Sequence, residues 1–183
     1  SDVIYHKRHL LPFGEYFPVP DAVRSWLQSM GLPSRDIERG DIIQGMPQLN
    51  NILIAPSICY EDIFGSELLG YFPEANLLVN ITNNAWFGKS FASEQHFQMS
   101  RMRAIETGRY LLRATNTGVT AIVEPNGTVR ERAQSFEYSL LLGTIEPMIG
   151  NTPYIKFGNY LIVVVLILNL FLGYLWVKKQ IKI

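Results

Sequence analysis

Cysteine is almost absent from this sequence, with Cys59 the only one in 183 residues. A single thiol excludes an internal disulfide framework and leaves the redox compartment unreadable. Histidine is nearly as scarce, and the spacing of His6, His9 and His96 fits no common zinc pattern, so neither a metal site nor a cysteine–histidine protease arrangement is expected. Acidic residues disappear after Glu146, while Lys178, Lys179 and Lys182 crowd the last six positions. Without those three lysines the remainder carries 13 Lys+Arg against 16 Asp+Glu. That mildly acidic balance argues against a nucleic-acid surface, which needs clustered positive charge. The sequence has no signal-peptide pattern, no internal repeat and no low-complexity linker, and it opens on Ser1 rather than methionine beside charged residues. It is expected to be a processed piece or a fragment of a longer polypeptide.

A long hydrophobic run is present. Tyr160 to Val177 contains no charged residue, and as a helix it would span about 27 Å, close to the hydrocarbon thickness of a bilayer. Tyr160 and Trp176 stand where an aromatic belt would place them, and the lysines after Val177 mark a cytoplasmic end by the positive-inside rule, putting residues 1–159 on the opposite face. Asn169 within the run is expected to serve helix packing. The clearest boundary falls at Asn151-Thr152-Pro153, dividing the chain into a domain over residues 1–153 and a membrane segment with a basic tail over 154–183.

Within the domain, Asp21 caps a helix reaching about Met30, ended by Gly31 and Pro33. Asn51 to Ile58 reads as a buried strand, Asp62 to Tyr71 as a short helix, Asn76 to Thr82 as a strand, and Ser93 to Gly108 as a helix with Met99, Met102 and Ile105 as its core stripe. Tyr110 to Thr115 and Val119 to Glu124 are strands joined at Asn116-Thr117-Gly118. Pro125-Asn126-Gly127 makes a further turn, and Tyr138 to Ile145 is expected as a final strand. The alternation predicts a layered α/β domain.

Cys59 sits where the apolar run Ile54-Ala55-Pro56-Ser57-Ile58 stops and the acidic, helix-opening Glu61 and Asp62 begin. That is a way of presenting a nucleophile, although a lone cysteine closing a core strand is also a common inert thiol. The reactive species is the thiolate, and a free cysteine with a pKa near about 8.5 is mostly protonated at neutral pH. A nearby ammonium would favour the charged sulfur, and Lys7 lies in a second segment dense in ionisable groups, Tyr5 to Tyr16.

Three motifs in order make the sequence recognisable: Tyr5-x-Lys7-x-x-Leu10-Leu11-Pro12-Phe13-Gly14-Glu15-Tyr16-x-Pro18, then Ile58-Cys59-Tyr60-Glu61, then Asn83-Asn84-Ala85-Trp86-Phe87-Gly88. They resemble the nitrilase (carbon–nitrogen hydrolase) superfamily, and more narrowly its membrane-embedded branch, the apolipoprotein N-acyltransferases. The likeness continues through Glu94 to Glu106, Arg113 to Gly118, Thr152-Pro153-Tyr154 and Gly158-Asn159. It implies a nitrilase-like α-β-β-α sandwich, here its carboxyl-terminal part, followed by one transmembrane helix.

The resemblance further implies a Glu–Lys–Cys triad in which Lys7 and Cys59 are the lysine and cysteine, while the catalytic glutamate falls upstream of Ser1. Glu15 matches a second functional acid, and Tyr60 and Glu61 match positions flanking the nucleophile. No cofactor is implied. The implied partners are a phospholipid acyl donor, an apolipoprotein acceptor and the membrane, with the catalytic domain on the periplasmic face of a bacterial inner membrane. Cys59 would form a thioester, and Lys7, with the backbone N–H after the nucleophile, would stabilise the oxyanion. Other readings stay open. Glu15 is either a plain loop carboxylate or holds Lys7 and the amine acceptor, and Glu61 either favours a helix start or positions the nucleophile. Trp86 and Phe87 either face lipid or pack internally. For the whole chain, a membrane-tethered amidase and a non-catalytic membrane-anchored binding module remain as alternatives.

Overall fold

The computed structural model describes residues 3–16, 18–30, 37–42 and 44–181. The proposed stops Gly31 and Pro33, and Lys182, lie outside them. The chain forms helix α1 (Asp21–Ser29), strands β1 (Gln48–Leu49) and β2 (Ile52–Ile58), a 3₁₀ turn at Cys59–Ile63 and helix α2 (Gly65–Leu68). Strand β3 (Leu77–Thr82), helix α3 (Ala92–Thr107) and strands β4 (Tyr110–Thr115), β5 (Ala121–Val123) and β6 (Val129–Arg132) follow, then helices α4 (Pro153–Phe157) and α5 (Tyr160–Ile181).

The strands make one mixed sheet in the order β1-β2-β3-β4-β5-β6. Its first hairpin closes over Asn50 and Asn51, both at positive φ, the conformation that lets a two-residue loop match the strand twist. β2, β3 and β4 run parallel, which requires crossovers, supplied by the helical turns of 59–71 and by α3. β5 and β6 return antiparallel through the expected Pro125–Gly127 turn, with Gly127 at φ 82°.

Strand alternation sends Ala55, Leu78, Leu111 and Val123 to one face, where they pack with Phe97 and Ala104 of α3. Leu77, Tyr110 and Ile122 face the other side, where Leu141, Ile145 and Met148 lie against them. α3 ends on Gly108 at φ 62°, with the Arg109 N–H reaching back to the Ala104 carbonyl.

Two expectations are corrected and one strand is added. Residues 138–145 form no strand among the described residues; the segment runs over the second sheet face, with Leu141 and Ile145 inward and Leu140 and Leu142 exposed. The sixth strand is instead β6, whose Arg130, Glu131 and Arg132 carry none of the apolar alternation that marks a strand in sequence, as suits a charged sheet edge. Finally, Met99, Met102 and Ile105 are about half exposed, at 47%, 46% and 46%. The buried face of α3 is His96, Phe97, Ser100, Ala104 and Thr107.

Arg109 joins the domain to the segment before α4. Its buried guanidinium donates to the carbonyls of Ala75 (2.7 Å), Thr107 (3.0 Å) and Gly150 (2.8 Å), and burial lowers its pKa. Thr152 caps α4 by accepting from the Ile155 N–H at 3.1 Å. Helix α5 is long and apolar enough over Tyr160–Gln180 to cross a membrane, and none of that span is buried. The Asn169 amide donates to the Val165 carbonyl at 2.7 Å.

Candidate active site

The carboxyl ends of three adjacent parallel strands open on one edge of the sheet. β2 delivers Cys59, β3 leads to Asn83 through Phe87, and β4 leads to Asn116 through Gly118. In open α/β sheets this edge is where ligands bind. The turns are tied to each other: Asn116 accepts from the Asn84 N–H at 3.0 Å and donates to Asn83 at 2.7 Å.

Cys59 is partly exposed and has φ 57°, an uncommon conformation for a residue with a side chain. Such strained positions cluster at functional sites. It begins a tight 3₁₀ turn directly at the end of β2.

Glu61 fixes this turn to the Lys7 segment. The carboxylate is 3% exposed and accepts from the backbone N–H groups of Arg8 (2.5 Å), His9 (3.1 Å) and Ile58 (2.6 Å) and from the Tyr5 hydroxyl (3.0 Å). The bond to Ile58 is the reach-back of a third helical residue to the N-cap; those to Tyr5, Arg8 and His9 lock the residues flanking Lys7 beside those flanking Cys59. Burial, seconded by the Glu61 charge, pushes the Tyr5 phenol well above its ordinary value and keeps it a donor.

Lys7 is a partly buried cation with one strong partner. Its Nζ donates to both oxygens of Glu15, at 2.7 and 2.6 Å, and stands 5.6 Å from the centre of the Tyr60 ring. Glu15 also accepts from the Leu11 N–H at 2.7 Å, and the Tyr60 hydroxyl donates to the Leu10 carbonyl at 3.0 Å. Burial, with Tyr16 and Glu15 nearby, raises the Tyr60 pKa and keeps that hydroxyl protonated. Trp86 and Phe87 are 69% and 40% exposed, so they present apolar surface rather than packing inside.

Beneath the nucleophile turn lies a buried polar cluster that sequence reading missed. Ser57, Asn80 and Arg113 sit opposite each other across β2, β3 and β4. Arg113 is fully buried and donates to Asp62 (2.8 Å) and Asn80 (2.8 Å). Asp62 also accepts from Ser100 at 2.5 Å and pairs with His96 at 2.9 Å. Arginine only donates, so His96 Nδ1, 3.2 Å from Arg113, is an acceptor and its proton sits on Nε2 toward Asp62. Burial lowers the Arg113 pKa, and the Asp62 carboxylate opposes that shift. The available signal was a polar residue at the same phase of three apolar strands. His9 stacks on Phe64 at 4.2 Å and pairs with Glu67 at 2.5 Å, and among the described residues no group of three or more His, Cys, Asp or Glu is placed to hold a metal.

A thiol on a strained turn, a partly buried ammonium held by a carboxylate and apolar surface nearby can together support attack on a carbonyl and neutralise the charge that develops on its oxygen. Residues 2–154 match the carbon–nitrogen hydrolase family, to which the chain belongs, and its mixed-sheet α/β structure is nitrilase-like. It is 46% identical over 169 residues to apolipoprotein N-acyltransferase from Nitrosomonas europaea, covering 92% of this chain and 34% of that protein. It is 49% identical over 156 residues to apolipoprotein N-acyltransferase from Methylococcus capsulatus, covering 85% of this chain and 31% of that protein. The chain thus spans about a third of the length of these curated relatives. The crystal structure of the C. elegans NitFhit protein superposes with a TM-score of 0.49 at 20% identity, covering 72% of this chain and 31% of that chain.

Proposed function

We propose that the chain is the carboxyl-terminal part of an apolipoprotein N-acyltransferase. In this reading residues 1–153 belong to a catalytic domain on the periplasmic face of a bacterial inner membrane, and residues 154–183 form a membrane helix with a cytoplasmic basic end. The observation that carries the reading is the 46% identity to a curated enzyme of that name over 92% of the chain.

The Cys59 thiolate attacks the ester carbonyl of a phospholipid. The tetrahedral oxyanion collapses with loss of the lysophospholipid alkoxide, which takes up a proton, leaving a thioester on sulfur. The free amine of a diacylglyceryl-cysteine then attacks the thioester, the amide forms, the thiolate departs and the amine loses a proton. A glutamate on a segment preceding Ser1 takes the thiol proton as base, gives it to the departing alkoxide as acid, and later takes the amine proton as base. Lys7 faces the oxyanion, and Glu15 holds its ammonium in place through the two bonds described above. Tyr60 and Glu61 position the nucleophile turn, and Trp86 and Phe87 offer apolar contact to the donor lipid.

The test is to give the full-length protein a phospholipid and a diacylglyceryl-cysteine peptide. Equal amounts of lysophospholipid and N-acylated peptide are expected. Free fatty acid without N-acylation would identify a membrane-tethered hydrolase, and no turnover would favour a binding module. Lys7→Ala is expected to lower the acylation rate about a hundredfold, the effect of removing one oxyanion donor, with membrane insertion unchanged. A near wild-type rate would remove Lys7 from the mechanism.

A further inference from the structure

Asn80 is completely buried in the middle of β3, and all of its side-chain hydrogen-bonding capacity is used. Its Oδ1 accepts from Arg113 at 2.8 Å and from the Thr82 hydroxyl at 2.5 Å. Its Nδ2 donates to the Ser57 hydroxyl at 2.9 Å and to the Cys59 carbonyl at 3.0 Å. The orientation of this amide is determined by its neighbours. An arginine can only donate and a carbonyl can only accept, so the oxygen must face Arg113 and the nitrogen must face Cys59.

The Cys59 carbonyl is one end of the peptide unit whose other end is the Tyr60 N–H. That unit is planar and trans, since the one cis bond among the described residues joins Phe72 and Pro73. Holding the carbonyl therefore fixes the direction of the N–H, which points the opposite way. The tie is needed at this residue, because φ 57° at Cys59 is a conformation that a side chain disfavours.

We propose that Asn80 is a positioning residue that aims the Tyr60 N–H at the acyl oxyanion by holding the Cys59 carbonyl, with Arg113 and Thr82 fixing the orientation of its amide. The proposal rests on the acyl-transfer reading of Cys59. It predicts a specific split. A residue that orients an oxyanion donor affects attack on a carbonyl, where negative charge builds on oxygen. It does not affect alkylation of the same sulfur by iodoacetamide, where displacement at a saturated carbon forms no oxyanion.

The experiment uses the full-length protein in detergent or vesicles and compares wild type, Asn80→Asp and Thr82→Val. Asn80→Asp preserves size and keeps an acceptor for Arg113 but removes the donor to Cys59. Its acylation rate by phospholipid is expected to fall about a hundredfold with KM within about twofold of wild type. Alkylation is followed against pH and compared at its high-pH plateau, which a shifted thiol titration does not alter; the plateau rate is expected to stay within about twofold. Thr82→Val removes one of the two bonds orienting the amide, and a loss of about fivefold with the same split is expected from a single neutral hydrogen bond.

An acylation rate for Asn80→Asp within about threefold of wild type, or a plateau alkylation rate that falls in step with acylation, would overturn the proposal. If Asn80→Asp does not fold, Thr82→Val decides by the same criteria, and wild-type acylation in that variant would overturn it. A wild-type protein that takes no acyl group on Cys59 would defeat the acyl-transfer reading and the proposal together. A wild type that is acylated, beside an indifferent Asn80→Asp, would defeat the proposal alone.

Discussion

Cys59→Ser is expected to abolish acyl transfer while leaving the fold intact. A serine hydroxyl keeps the size of the thiol and demands no more of the strained turn, so melting behaviour should stay close to wild type. Chemistry is lost because an alkoxide is far harder to form than a thiolate, and the site offers the oxygen no stronger base. Lysophospholipid release by the purified full-length variant should be below detection. Residual turnover at a tenth of wild type or more would mean that another group carries the acyl chain.

Asp62→Ala is expected to be the most damaging substitution for stability, at about 3–5 kcal/mol, the range for removing one partner of a buried ion pair. Arg113, wholly buried, would lose its counter-charge, and Ser100 and His96 would each lose an acceptor. Replacing both Asp62 and Arg113 by apolar residues of similar volume should recover much of that loss, because the penalty lies in the unpaired charge rather than in the absence of the pair. Denaturant unfolding of the single and double variants of the full-length protein measures both terms. A single variant as stable as wild type would show that water reaches the cluster.

How far the structure was legible in sequence depended on where polar groups are needed. β2, β3 and β4 are apolar runs of strand length, and their bounds could be read almost to the residue. α3 was legible in length but not in orientation. Its inner face must reach Asp62 through His96 and Ser100, and Arg103 donates to the carbonyls of Asp62 (3.2 Å) and Ile63 (3.0 Å). The buried face of this helix therefore mixes His96, Ser100 and Thr107 with Phe97 and Ala104, and Met99, Met102 and Ile105 lie on the half-exposed side.

Residues 138–145 look like a strand because Leu140, Leu141 and Leu142 are contiguous, yet the segment meets the sheet through the side chains of Leu141 and Ile145 and through the Thr144 carbonyl, which accepts from Arg130, rather than by strand pairing. Lys7, Glu15, Cys59, Tyr60 and Glu61 stood out through their motifs. The clamp that Glu61 makes could not be read, since it joins backbone groups more than fifty residues away. Asn80 and Arg113 were hidden by the apolar strands that hold them; only the register, which places one directly opposite the other, shows their connection.

The most direct measurement is the intact mass of the full-length protein after brief incubation with a phospholipid and no acceptor. A gain of one acyl chain is predicted, removed by neutral hydroxylamine and confined to the peptide that contains Cys59. An acyl chain carried on any other residue, or no adduct in a protein that still N-acylates its acceptor, would contradict thioester chemistry at Cys59.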